Sequence, residues 1–210
     1  MMRPRFPTPL SVLVMAGTLT TVAPACAQTA GSSAARPATA SAPAKDYVPA
    51  DVQFMQGMIH HHQQAVVMAA MAPTHGASER IQLLAKKIDL SQRDEMAFMQ
   101  RWLEDRGLPV PEVGAHDHVM MHMPGMLTPE QMQQLDQARG AEFDRLFLAG
   151  MIQHHQGALT MVKELFAAPG GGQEPTLFDF AAGVDADQRA EIERMQQMLN
   201  ALPTPRSPAP

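Results

Sequence analysis

Cysteine is almost missing from this 210-residue chain: there is one, Cys26, inside the opening segment. Once that segment is removed, neither a disulfide framework nor a thiolate metal site can form. Net positive charge is missing too. The formal net charge is −5, and taking away residues 1–27 lowers Lys plus Arg from 16 to 14 against 21 Asp plus Glu, leaving about −7. That balance argues against nucleic acid as a partner. The apolar run from Leu10 to Ala23 is too short for a lasting membrane span. No Glu-x-x-His pair occurs, so the ligand pattern of a di-iron bundle enzyme is lacking, and a single cysteine excludes haem attached through Cys-x-x-Cys-His.

What is present falls into clear segments. Arg3 and Arg5, the apolar run and Ala25-Cys26-Ala27 read as a secretion signal over 1–27, which predicts a periplasmic or extracellular protein. A lipid anchor at Cys26 is the weaker alternative, because Ala23-Pro24-Ala25 lack the leucine usual ahead of a lipidated cysteine. Residues 28–48 are rich in Ala, Pro, Ser and Thr and read as a disordered tether, as do residues 203–210 with their repeated prolines. Residues 49–202 remain, enough for one domain with a sizeable core.

That domain contains one short stretch twice. Shifting the chain by 93 positions lays Asp51 on Asp144, Phe54 on Phe147, Gly57 on Gly150, Met58-Ile59 on Met151-Ile152 and His61-His62-Gln63 on His154-His155-Gln156. The spacing of Phe54, Met58, His61, Ala65 and Met68 is helical and puts His61 on the buried stripe with Met58, with His62 at its edge. His60, replaced by Gln153 in the second copy, reads as exposed.

The spacing predicts a first helix from about Ala50 to Met71, ended by Pro73, and a second from Ser78 as N-cap to about Arg106, ended by Gly107 and Pro109. A third starts where Thr128, Pro129 and Gln131 make a capping box and runs to about Ala168, with Gly140 as the place where it could break. The fourth covers roughly Thr176 to Leu199 and repeats the second at an offset of 96, Gln92-Arg93 matching Gln188-Arg189 and Glu95 matching Glu191. Two duplicated hairpins predict an all-α four-helix bundle, whose core positions suit ligands from facing helices.

The connector over 107–127 is unlike either hairpin. His116, His118 and His122 share eleven residues with Met120, Met121, Met123 and Met126, without helical or strand period. It reads as a flexible collector of soft ions. Imidazole with thioether suits copper: thioether favours Cu(I), and imidazole accepts both oxidation states. On one helix Met58 approaches the same point as His61 or His62, and Met151, His154 and His155 repeat the arrangement. Facing helices would give one site of two histidines and two methionines; diverging helices would leave two half-sites. The plainer alternative is that the histidines only bond carboxylates, with Glu95 and Glu191 as the acceptors, in a bundle that binds no metal. Asp51 and Asp144 read as helix caps.

The duplicated pattern Phe-x3-Met-Ile-x-His-His-Gln-x-Ala, with its Met/His-rich connector, resembles the DUF-305 family from about Tyr47 to Leu202. That resemblance implies a ferritin-like four-helix bundle and copper binding in copper resistance; with no Glu-x-x-His pair, catalysis is not expected. It carries over Met58, His61, His62, Met151, His154 and His155 as candidate ligands. Sequestration or transfer of copper is then the expected function, with affinity falling as the histidines protonate near pH ~6.5.

Overall fold

The computed structural model describes residues 46–112 and 123–203. The secretion signal, the tether up to residue 45, the final seven residues and His116, His118, Met120, Met121 and His122 of the connector lie outside the described residues.

Proline, glycine and caps set the helix ends. Helix α1 (Pro49–Met71) has proline in its first turn, and Asp51 there accepts the Val48 backbone N–H at 2.9 Å. Helix α2 (Glu79–Glu104) ends where Gly107 takes φ +62° and Leu108 N–H reaches back to the Leu103 carbonyl at 2.9 Å. Ser78 stands at the N-cap of α2, yet its side chain makes no cap bond. Instead its backbone N–H goes to Asp144. The capping box is formed as expected at α3 (Pro129–Gln137): Gln131 N–H donates to Thr128 Oγ1 at 3.2 Å, and Thr128 N–H to Gln131 Oε1 at 2.8 Å.

The third stretch does divide at Gly140, where the sequence allowed a break. Ala138 turns extended and Gly140 adopts φ +60°, a left-handed value that favours glycine, before α4 (Ala141–Ala167) begins. Gly140 N–H is held by the His75 carbonyl at 2.9 Å, so the α1–α2 loop fixes the break. Helix α5 (Pro175–Asn200) is capped by Glu174, which accepts Leu177 N–H at 2.8 Å and Trp102 Nε1–H at 3.0 Å.

The described residues are therefore all-α: α1–α2 and α4–α5 form two hairpins, α1 lies against α4, and the short α3 touches both. No helix among them is long and apolar enough to cross a membrane. Apolar side chains gather in two clusters. One holds Ala65, Met68, Ile88, Phe143, Phe147 and Met151; the other holds Phe54, Met58, Met99, Trp102, Ala158 and Leu177. Between them lie the buried polar residues His61, His62, Gln92, His154, His155 and Gln188.

Asp51 and Asp144 do more than cap. Asp51 Oδ1 accepts Gly172 N–H at 2.7 Å from the α4–α5 loop, and Asp144 Oδ1 accepts Ser78 N–H at 3.1 Å from the α1–α2 loop. Each hairpin thus holds the other's turn. Asp51→Ala would leave a buried N–H without its acceptor, and we expect a loss of about 2 kcal/mol in urea unfolding. A midpoint equal to that of the parent protein would show that the brace is not needed.

Candidate metal centre

The duplicated helical stripe delivers its histidines to one place. His61 on α1 and His154 on α4 meet as a tilted pair, ring centroids 3.8 Å apart at an interplanar angle of 37°. His62 and His155 flank them, with centroids 6.4 Å from His61 and 6.1 Å from His154. All four are buried. The outer two are held alike: His62 Nε2 lies 2.6 Å from Glu95 Oε2, and His155 Nε2 lies 2.6 Å from Glu191 Oε2. These are the acceptors anticipated for purely structural histidines.

The inner pair breaks the twofold. His154 Nε2–H donates to the His61 backbone carbonyl at 2.7 Å, whereas His61 Nε2–H donates to the Pro124 carbonyl at 3.0 Å. Carbonyl oxygen can only accept, so the proton of each inner ring sits on Nε2 and the lone pair on Nδ1. The Nδ1 atoms of His61, His62, His154 and His155 are all buried without a hydrogen-bond partner among the described residues. Burial, reinforced by the charge His62 would carry, pushes His61 down from 6.5 to about 3. His154 is pushed well below 6.5 by burial and then by His61. The inner pair is therefore neutral in mild acid as well as at pH 7. That corrects the expectation of proton competition near pH ~6.5, which holds for a solvated imidazole and not for these two.

Met58 and Met151 are both fully buried one turn ahead of the inner histidines, but they enter opposite apolar clusters. The structure thus brings His61 and His154 together and sets one thioether on either side of them. Met123 is the one connector candidate among the described residues. A Cβ built at Gly57 would lie 3.6 Å from its Sδ, so it rests on α1 one turn before His61. Among the described residues, no three His, Cys, Asp or Glu side chains form a ready metal cluster.

Residues 123–127 are seated across the two helices. Gln64 exchanges two bonds with Leu127, its Nε2–H to the carbonyl at 3.0 Å and Leu127 N–H to its Oε1 at 2.8 Å. Gln153 Nε2–H reaches the Met126 carbonyl at 3.2 Å. Gly157 lies so close to Pro124 and Gly125 that it has no room for a side chain. Sequence reasoning passed over Gln64, Gln153 and Gly157, though a signal existed. They occur where the two copies differ, Gln64 against Gly157 and His60 against Gln153, because a single connector crossing a pseudo-twofold cannot meet both helices alike. His60 is correspondingly half-buried rather than exposed. Gln92 and Gln188, noticed only as a repeat, are buried.

The family model described as a domain of unknown function, DUF305, matches residues 51–199. The chain belongs to the DUF305 family. A DUF305 fragment from Deinococcus radiodurans is 32% identical, with 74% of this chain and 99% of that chain covered and a TM-score of 0.65. CopM in its Cu(I)-bound form is 28% identical over 71% of this chain and 95% of its own, with a TM-score of 0.57. The Cu(II)-bound form of CopM is 30% identical over the same shares, with a TM-score of 0.58. No curated protein matches the chain significantly. Within the DUF305 family this chain therefore has copper-bound structural relatives.

Proposed function

We propose that this protein binds copper outside the cytoplasm, sequestering it or passing it on, with the paired histidines as its main site and the Met/His-rich connector as a collector. The observation that carries the reading is the set of buried imidazoles whose Nδ1 atoms have no hydrogen-bond partner among the described residues, with a thioether on either side. Glu95 and Glu191 hold the Nε2 hydrogens of the outer rings, the usual support for a ligating imidazole. Neutral His61 and His154 need shed no proton to bind. The copper-bound relatives support the same reading, and the segment over 1–27 supports export. His116, His118, Met120, Met121, His122 and Met123 would gather the ion; Met58, His61, His62, Met151, His154 and His155 would hold it.

One observation favours a rival. Every Nε2 of the four rings already has a protein acceptor, as in a polar layer that only fixes how the helices pair. The readings separate in a variant carrying His61→Leu and His154→Leu. Under the copper reading its affinity for Cu(I) or Ag(I), measured against a competing chelator, falls by more than about 100-fold, beyond the usual cost of losing a supporting residue. Under the rival, metal uptake is unchanged and stability holds or rises. Deleting residues 113–122 in parallel shows whether the tight site outlives the collector.

A further inference from the structure

Gln92 and Gln188 occupy equivalent places in the duplicated hairpins and are 0% and 2% exposed. Both amide atoms of Gln92 and the amide oxygen of Gln188 lack a hydrogen-bond partner among the described residues. Burying an amide atom without a partner costs stability, and this chain does so at both matched positions. The helix stripes around them are apolar, with Ile88 and Met96 beside Gln92 and Val184 and Met195 near Gln188, so leucine would serve packing better.

Their level in the bundle is set by the histidine partners. Because α1 and α2 are antiparallel and His62 meets Glu95, three residues onward on α1 and three back on α2 place Ala65 beside Gln92. The same step from His155 and Glu191 places Ala158 beside Gln188. Each step is about 4.5 Å along the axis. Both alanines are fully buried, so each amide stands in the interior at a level one turn beyond His61 or His154 on the histidine helix.

We propose that Gln92 and Gln188 let this site accept divalent copper, by hydrogen-bonding water held on the ion. This rests on the copper reading above. The chemistry divides by oxidation state: soft thioether suits Cu(I), while Cu(II) wants further nitrogen and oxygen donors in a tetragonal set. An amide both donates and accepts, so it can fix a metal-bound water in either sense without itself titrating. Monovalent ions held by imidazole and thioether alone carry no such water and are indifferent to the amides. Gln92 and Gln188 are thus positioning residues that set preference between oxidation states.

The test compares the full chain with its Q92L/Q188L variant, titrated separately with Cu(II) and with Ag(I), alongside thermal unfolding without metal. The expected result is a Cu(II) affinity lower by about 10- to 100-fold, the cost of removing a supporting partner, with Ag(I) affinity unchanged. The metal-free variant should melt several degrees higher, since leucine carries no unpartnered polar atom. Gln92→Met and Gln188→Met, nearly isosteric, repeat the comparison if leucine packs badly. Equal losses for both ions, or no loss for Cu(II), would overturn the assignment. A parent protein that takes Ag(I) but not Cu(II) would overturn it while leaving the copper reading standing; one that takes neither would remove both.

Discussion

Taking the metal-free protein from pH 7 to pH 4 should cost it about 3 kcal/mol of folding stability through His61 alone. Unfolded, this histidine binds its proton at 6.5; folded, only at about 3. Between those values the unfolded chain takes up a proton that the folded one refuses, so stability is intact above pH 6.5 and falls as the pH drops toward 3. At pH 4 the gap spans roughly 2.5 units at about 1.36 kcal/mol each. His154 is shifted the same way and adds to the loss, although the two rings touch and their contributions will not simply sum. Glu174 and Asp185 are also held below their ordinary values, but they act only nearer 4.5 and 3.8, so a decline that begins at pH 6.5 belongs to the histidines. Urea midpoints measured across this range check the point. A flat profile down to pH 5 would mean that the rings protonate freely and are not sealed in the core.

Gly157→Ala should destabilise the protein by about 3 kcal/mol, although alanine in place of a helical glycine ordinarily helps by roughly 1 kcal/mol. The new Cβ would run into the Pro124 carbonyl and lie 2.7 Å from Gly125 Cα, all backbone that cannot swing aside. The connector must lift. With it go the acceptor for His61 Nε2–H, the paired Gln64–Leu127 bonds and the rest of Met123 on α1. His61 then keeps a buried N–H without an acceptor, which is the larger part of the cost. Urea unfolding of the variant is the measurement, with copper affinity read beside it. A gain of about 1 kcal/mol would show that helix propensity rules and that residues 123–127 are not seated on α4.

The same residues show what was legible in the sequence. Helix ends written in local chemistry were readable: Pro73 beyond α1, Gly107 beyond α2, and the Thr128/Gln131 box. So was the duplication, because a 93-residue shift needs no structure to be seen. The features that escaped are settled by partners distant in sequence. Asp51 and Asp144 go beyond capping to grip the loops of the opposite hairpin. The meeting of His61 with His154 was anticipated only as one branch, since a helix period gives the face of a residue but not its neighbour across the bundle. The depressed pKa values were missed for the same reason, because burial by four surrounding helices does not show in a local pattern.

The account turns on whether the buried rings carry the metal through Nδ1. The direct measurement is nitrogen NMR of histidine side chains during titration with Ag(I), a diamagnetic ion close to Cu(I) in its liking for imidazole and thioether. The account predicts that Nδ1 of His61 and His154 moves with added metal while their Nε2 atoms keep their hydrogens. A response confined to His116, His118 and His122, with the inner pair unchanged, would contradict it.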